Sequence, residues 1–328
     1  MTVPTTRRTL LTGLVASTLA SATYTQESWA QERWPARPVK IIVPYAAGGS
    51  TDVVARPWAE KLTQAFSQSF VIDNRGGASG TIGAEVAARA APDGYTLLLT
   101  PNSALSIVPQ LRKVGYDPKK DFSPVARVGD LIGGWVVRTE LGINSLAELI
   151  AYAKKNPGKL AYGGGGLGTT TQMRLETLKI RAGIDILYVP YRGNGEAMTD
   201  LLGGQIQMMN EIIVFPHVKA GTLKLLAISH YARHPDFPDV PTLTEAGFPN
   251  ADVPLWFSVL APAGTPRAII ATLNGKITEL ARSEEMIRRL REISIIAPTQ
   301  TPEEMAAFLE TDYAENGKVI REANIKME

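Results

Sequence analysis

The chain has 328 residues, 45% of them hydrophobic and 20% charged, with a formal net charge of +2. That size suits about two domains with buried cores, and the near balance of acids and bases offers no clustered basic face for nucleic acid. Cysteine is absent and there are only three histidines, which excludes disulfides, thiolate nucleophiles and cysteine metal sites.

Residues 1–30 read as an export signal rather than as part of the fold. Arg7-Arg8 precede a mild apolar run, Leu10 to Ala22, too short to span a bilayer. Ser28-Trp29-Ala30 puts small residues where a signal peptidase reads, so cleavage is expected after Ala30. Thr6-Arg7-Arg8-Thr9-Leu10-Leu11 resembles a twin-arginine signal. No later run is long and apolar enough to be transmembrane. The mature chain is expected to be soluble and periplasmic.

From Lys40 the chain reads as strand, glycine turn and helix. Ile41 to Val43 is apolar, Pro44 breaks the run, and Gly48-Gly49 loosens it before Ser50, Thr51 and Asp52. Val54, Trp58, Leu62 and Phe66 then share one helix face. Ser50 or Thr51 is expected at the N-cap, and Pro57 to kink the helix or delay its start. Such a turn aims free backbone N–H groups and the positive helix end at one spot, where an anion fits without lysine or arginine.

The scheme repeats. Phe70 to Ile72 is a strand, Asp73 to Thr81 a second glycine turn including Ala78, Ser79 and Gly80, and Ile82, Val86 and Ala90 mark a helix face. Thr96 to Leu99 is a third strand, ending at Asn102-Ser103. Strand-helix-strand-helix-strand implies a parallel sheet, with ligands beyond the strands' carboxyl ends. Val125 to Val128 reads as a crossing strand into a second unit with strands at Trp135 to Val137, Leu160 to Tyr162, Ile186 to Val189, Gln205 to Met209 and Leu223 to Ile228. A capping box is expected at Ser145 and Glu148, and Gly163 to Thr170 is the second unit's glycine turn. His230 to Pro254 should be mostly surface. Trp256 to Leu260 returns the chain to the first unit, Thr265-Pro266 opens a helix with proline at its first position, and Thr301 with Glu304 caps the last one.

The chemistry signals are sparse. Gly163-x-Gly165-x-x-Gly168 fits a dinucleotide fingerprint, with Asp185 downstream. The run is glycine-rich throughout, so its spacing carries little weight, and a nucleotide-cofactor enzyme stands only as an alternative. No Gly-Lys-Ser/Thr phosphate loop or Gly-x-Ser-x-Gly elbow is present. His230 and His234 are four apart, but Pro235 breaks a helical metal pair, and all three histidines are expected at surface or helix-edge positions.

Several segments together carry a resemblance. Trp34 to Tyr45 with Gly48 to Asp52, Asp73 to Ala78, Ala91 to Leu98, Tyr116-Asp117-Pro118, Asn156 to Leu160, Val189-Pro190-Tyr191, Asp200 to Gln205, Asp239 to Thr242 and Ala261 to Pro266 resemble the solute-binding receptors of tripartite tricarboxylate transporters, the Bug family. The resemblance covers nearly all of the mature chain. It implies an α/β, two-lobed type II periplasmic-binding-protein fold, a hinged clamshell with a parallel-rich sheet in each lobe. Lobe 1 is expected at 31–127 plus 255–328 and lobe 2 at 128–254. It also implies a monomeric receptor with no catalysis, cofactor or metal, which captures a small carboxylate (a dicarboxylate or aromatic acid) and delivers it to the transporter's membrane components. A receptor presenting its ligand to a sensor protein is the other reading.

The ligand is expected on Tyr45, Gly48, Gly49, Ser50, Thr51, Asp52, Ala78, Ser79, Gly80, Thr81 and Asn102 in lobe 1. In lobe 2 it is expected on Gly166, Gly168, Thr169, Thr170, Gln172, Tyr191 and Asn210. One carboxylate should meet the amides of Gly49 to Asp52 and of Ser79 to Thr81. Neutral donors should hold the far end. The sequence departs from the family at Gly163 to Gly165, where serines are common, at Gln172, where histidine is common, near Asn210 or Glu211, where aspartate is common, and at Asn316, where tryptophan is frequent.

Overall fold

The computed structural model describes Met1 and residues 34–326, apart from 250 and 323. The expected export signal and its cleavage site lie outside the described residues. In chain order the elements are β1 (Val39–Val43), α1 (Ser50–Phe66), β2 (Phe70–Asn74), α2 (Thr81–Ala88), β3 (Thr96–Pro101), α3 (Val108–Leu111) and β4 (Phe122–Leu131). They continue with β5 (Gly133–Arg138), α4 (Leu146–Lys155), β6 (Ala161–Gly164), α5 (Thr170–Ala182), β7 (Leu187–Pro190), α6 (Asn194–Gly203), β8 (Met208–Glu211), α7 (Phe215–Lys219) and β9 (Leu223–Ser229). The chain ends with β10 (Trp256–Pro262), α8 (Arg267–Ala281), α9 (Glu284–Glu292), β11 (Ile295–Ile296) and α10 (Pro302–Glu322).

The strands form two mixed sheets, in the orders β11-β4-β10-β3-β1-β2 and β7-β6-β8-β5-β9. β1 lies parallel to β2 and β3, and β6 parallel to β7 and β8. The returning β10 and the pairs made by β5 are antiparallel. Each sheet is covered on both faces. Ile41 on β1 packs with Trp58 of α1 and Leu273 of α8, while its neighbour Ile42 packs with Ala84 of α2 and Met305 of α10. This is the alternation of a strand buried on both sides. In the second sheet Trp135 faces α4 and α5, and Val136 faces α6 and α7. The chain crosses between the sheets at Ile132 and again after β9, and Leu131 N–H donates to Leu255 O across the two crossings at 2.9 Å.

Several expectations need correction. α1 begins at Ser50, with Gly49 as N-cap, and runs through Pro57 without a later start. Proline inside a helix costs ~3 kcal/mol. Burial of Val54, Trp58 and Leu62 outweighs it, since one large buried side chain is worth about 3–5 kcal/mol. Ile82 and Val86 are exposed, and α2 packs instead through Thr81, Gly83, Ala84 and Ala87. The helix lies so close to β1 that only small residues fit between them. His234 is buried rather than peripheral. Its Nδ1 accepts from the Asp236 N–H at 3.0 Å, so the proton sits on Nε2, which donates to Ser294 Oγ at 2.8 Å. Leu243, Ala251 and Val253 are likewise buried within the otherwise exposed stretch after His230. Pro266 is the N-cap of α8 rather than its first residue. Both capping serine and threonine readings hold: Ser145 Oγ accepts from Glu148 N–H, and Thr301 and Glu304 exchange two hydrogen bonds.

A Cβ on Gly83 would meet Pro44 Cα at 2.7 Å and Arg75 O at 2.8 Å, both backbone atoms. Gly83→Ala is therefore expected to destabilise by about 1–3 kcal/mol, read by chemical denaturation. A neutral result would mean that α2 can move off β1. Near the first crossing, Asp130 accepts from Arg127 Nε at 2.5 Å, and burial, opposed by Arg127, pushes its carboxyl up from 3.8 to about 6. A raised folded-state value stabilises at low pH and is lost as pH rises. Between pH 3.8 and about 6 the stability difference should move toward Asp130→Asn by on the order of 1–3 kcal/mol. Parallel pH–stability curves for the two proteins would refute this.

Candidate functional site

The carboxyl ends of β1, β3, β6 and β8 converge, and the loops beyond them line a cavity of about 30 Å³. From the first sheet it is lined by Tyr45, Gly49, Ser50, Thr51, Pro101, Ser103, Leu255 and Phe257. From the second it is lined by Gly165, Thr169, Thr170, Thr171, Gly193, Asn194 and Glu211. That volume is more than the roughly 10–15 Å³ one water needs on the same measure.

The first turn of α1 forms one wall. Gly49 caps it without any side-chain hydrogen bond, so no side chain accepts from its leading amides. Asp52, expected on the ligand, instead ties the turn together. Its Oδ2 accepts from Gly48 N–H at 2.9 Å and Arg56 Nε at 2.8 Å, and its Oδ1 accepts from Asn74 Nδ2 at 3.2 Å. Gly48 sits at φ +80°, in the left-handed region that favours glycine.

Two of the three amides expected of the second glycine turn, those of Gly80 and Thr81, are taken up within the turn. Gly80 N–H donates to Gly77 O, and Thr81 N–H to Ala78 O, within a tight 3₁₀ turn at Ala78–Gly80. Thr81 Oγ1 bonds Ala78 O, and Arg112 Nη2 holds both groups. Ser79 reaches across instead, donating to Leu167 O at 2.5 Å, while its own carbonyl accepts from Tyr45 OH at 3.1 Å.

Other expected residues join the two halves. Thr170 Oγ1 donates to Asn102 Oδ1 at 2.7 Å, and Thr170 N–H donates to Ser103 Oγ at 3.2 Å. Thr169 caps α5, accepting from Gln172 N–H, and Gln172 Oε1 accepts from Gly168 N–H at 2.6 Å. Gln172 thus stabilises the loop rather than lining the cavity. Gly166 packs against Ser79, where a Cβ would meet its Oγ at 2.8 Å. Tyr191 OH donates to Asp200 Oδ2 at 2.7 Å, away from the cavity. Asn210 also faces away, bonding Arg174 Nη1 and Ser229 Oγ.

The structure brings Tyr45, Gly49, Ser50, Thr51, Thr169 and Thr170 to the cavity wall and leaves the other expected residues behind it or in its closure. Glu211 and Asn194 were not expected there. Strand alternation turns Glu211, not Asn210, into the cavity. Its side chain is 1% exposed; Oε2 accepts from Ser50 Oγ at 2.7 Å and Oε1 from Asn194 Nδ2 at 2.5 Å. Burial pushes its carboxyl above the usual range, partly offset by the Ser50 hydrogen bond and by attraction to Arg174. The far wall is therefore not all neutral. The period-two reading of Gln205 to Met209 could have found Glu211 had the strand been carried two residues further.

A family model described as the tripartite tricarboxylate transporter family receptor matches residues 54–325. Protein BugT from Bordetella pertussis is 37% identical over 303 residues, 90% of this chain and 92% of that one. The structure of Rpa4515 from R. palustris with adipate has a TM-score of 0.86 at 35% identity, covering 89% of this chain and 99% of the other. That of MatC from Rhodopseudomonas palustris with bound malate has a TM-score of 0.82 at 30% identity, covering 87% and 99%. The fold is the two-lobed α/β clamshell of periplasmic binding proteins. The chain belongs to the tripartite tricarboxylate transporter receptor family, a family of periplasmic solute-binding receptors rather than enzymes.

Proposed function

We propose that this receptor captures a small carboxylate between a lobe of residues 31–127 plus 255–328 and a lobe of residues 128–254, and delivers it as a monomer to the membrane components of a tripartite tricarboxylate transporter. The observation that carries this reading is the first turn of α1, a helix N-terminus without a side-chain cap that opens into the cavity between the sheets. Such an end favours an anion by about 0.3–1 kcal/mol, and more when partly buried. The adipate and malate bound by the two relatives are anions of this kind. The cavity is narrow, about 30 Å³, and on this reading the lobes part at the two crossings to admit the ligand and close again. We further propose that residues 1–30 act as an export signal resembling the twin-arginine type, leaving Gln31 at the mature N-terminus.

Mass spectrometry of the ligand that co-purifies with protein made in the periplasm tests the reading directly; a cationic or uncharged solute would refute it. Gly49 provides a second test. A Cβ there has ordinary space, with Ala46 O at 3.5 Å and Asn194 N at 3.9 Å across the cleft. Gly49→Val should therefore fold, while its branches lie over the α1 amides and against α6. Calorimetry with C4–C8 dicarboxylates should show affinity lost by about 100-fold or more, equivalent to ~2.7 kcal/mol, with unchanged circular dichroism. Unimpaired binding would move the carboxylate away from this turn.

A further inference from the structure

Among the residues lining the cavity, Glu211 supplies the one carboxylate, and no lysine, arginine or histidine stands beside it. The nearest buried cation, Arg174, is engaged elsewhere: Nε donates to Val253 O at 2.8 Å, Nη1 to Asn210 Oδ1 at 2.8 Å, and Asp252 lies at 3.5 Å. A ligand whose second end is another ionised carboxylate would set two acids together, one of them the largely buried Glu211, with no cation among the lining residues. Both cannot stay ionised there, so such a ligand would be held only while Glu211 keeps its proton. A protonated amine in the same place finds an acceptor already fixed in position.

The Glu211 carboxylate has room for it. An ionised carboxylate offers about four acceptor sites. Ser50 Oγ and Asn194 Nδ2 take one on each oxygen, and Ile212 N–H makes a longer contact at 3.4 Å. These donors come from α1, α6 and the residue that follows β8, so the carboxylate is held from both halves of the molecule. It lies next to the first turn of α1, where the ligand's own carboxylate is proposed to sit. Acid and amine on neighbouring carbons of one small ligand would match that short separation.

We infer that the cleft selects a carboxylate that also carries a protonated amine, with Glu211 as the residue that recognises the amine. The inference rests on the carboxylate-receptor reading and narrows its ligand. Burial favours neutral Glu211 in the empty cleft, and an ammonium partner supplies the charge that ionisation lacks there.

The test is calorimetry on the full mature protein at pH 7 with matched pairs: glutarate and glutamate, adipate and 2-aminoadipate, with N-acetylglutamate to remove the charge while keeping the nitrogen. The amine-bearing member of each pair should bind at least about ten-fold more tightly, and acetylation should abolish the gain. Glu211→Gln, which keeps the shape of the side chain, should bring each pair within about three-fold while tightening the amine-free acids. Equal or tighter binding of the amine-free acids by the wild type would overturn the inference without touching the receptor reading, and needs no variant. An amine preference that survives in a folded Glu211→Gln would also overturn it. Failure of every carboxylate to bind would remove the receptor reading and this inference together.

Discussion

The first turn of α1 presents backbone donors for which its own sequence provides no acceptor. Gly49 at the N-cap has no side chain to offer, and Asp52, the nearest acid, is turned back to hold Gly48, Arg56 and Asn74. Glycine at the cap costs only a few tenths of a kcal/mol relative to a capping side chain, so the helix itself loses little. What it provides is an electropositive surface facing the other lobe. The acceptor that reaches this turn is Glu211, carried on β8 of the second sheet. The closing contact and the proposed recognition site are therefore the same place.

That geometry depends on packing some distance away. α1 is held by Trp58, whose ring is fully buried and whose Nε1 donates to Val128 O at 3.0 Å. On the other face of the sheet, Gly83 lets α2 lie against Pro44, which fixes the chain just before Tyr45. The two sides thus set the direction in which β1 delivers its glycine turn. In the second sheet the aromatic set Trp135, Tyr162 and Tyr188, with centroids 5.5 and 6.0 Å apart, supports the Thr169 loop through Tyr188 OH. Burial raises the Tyr188 hydroxyl's pKa, so it remains a neutral hydrogen-bonding group.

The strands, the two crossings and the turn at Gly48 to Ser50 were legible because local pattern determines them. Short apolar runs ending in glycine leave few alternatives when helices follow. The burial face of α2 was not legible, because its large residues point outward and its small ones inward. Only the neighbouring strand explains that inversion. The site was read in part for a similar reason. Gly80 and Thr81 look like free donors in sequence, yet a local 3₁₀ turn uses them. Glu211 was passed over in favour of Asn210 because the strand was read only to Met209, which left open which of the two faces the cavity. Its burial follows from the approach of Ser50, 161 positions earlier in the chain.

The contacts that close the cleft are few and mostly neutral: Ser79 to Leu167, Thr170 to Asn102 and Ser103, and the Glu211 cluster. A net hydrogen bond contributes about 0.5–1.5 kcal/mol, and opening returns each group to water. Closure by these bonds alone would thus be modest. It would also be reduced by the cost of keeping Glu211 away from solvent, which its raised pKa expresses. A receptor needs that near balance. A ligand shifts the equilibrium only by its differential affinity for the closed form. Glu211 supplies such a difference, because it is unfavourably buried in the empty closed cleft and would be neutralised by an amine in the filled one. An apolar residue at the same position would remove that part of the difference between the empty and the filled closed form.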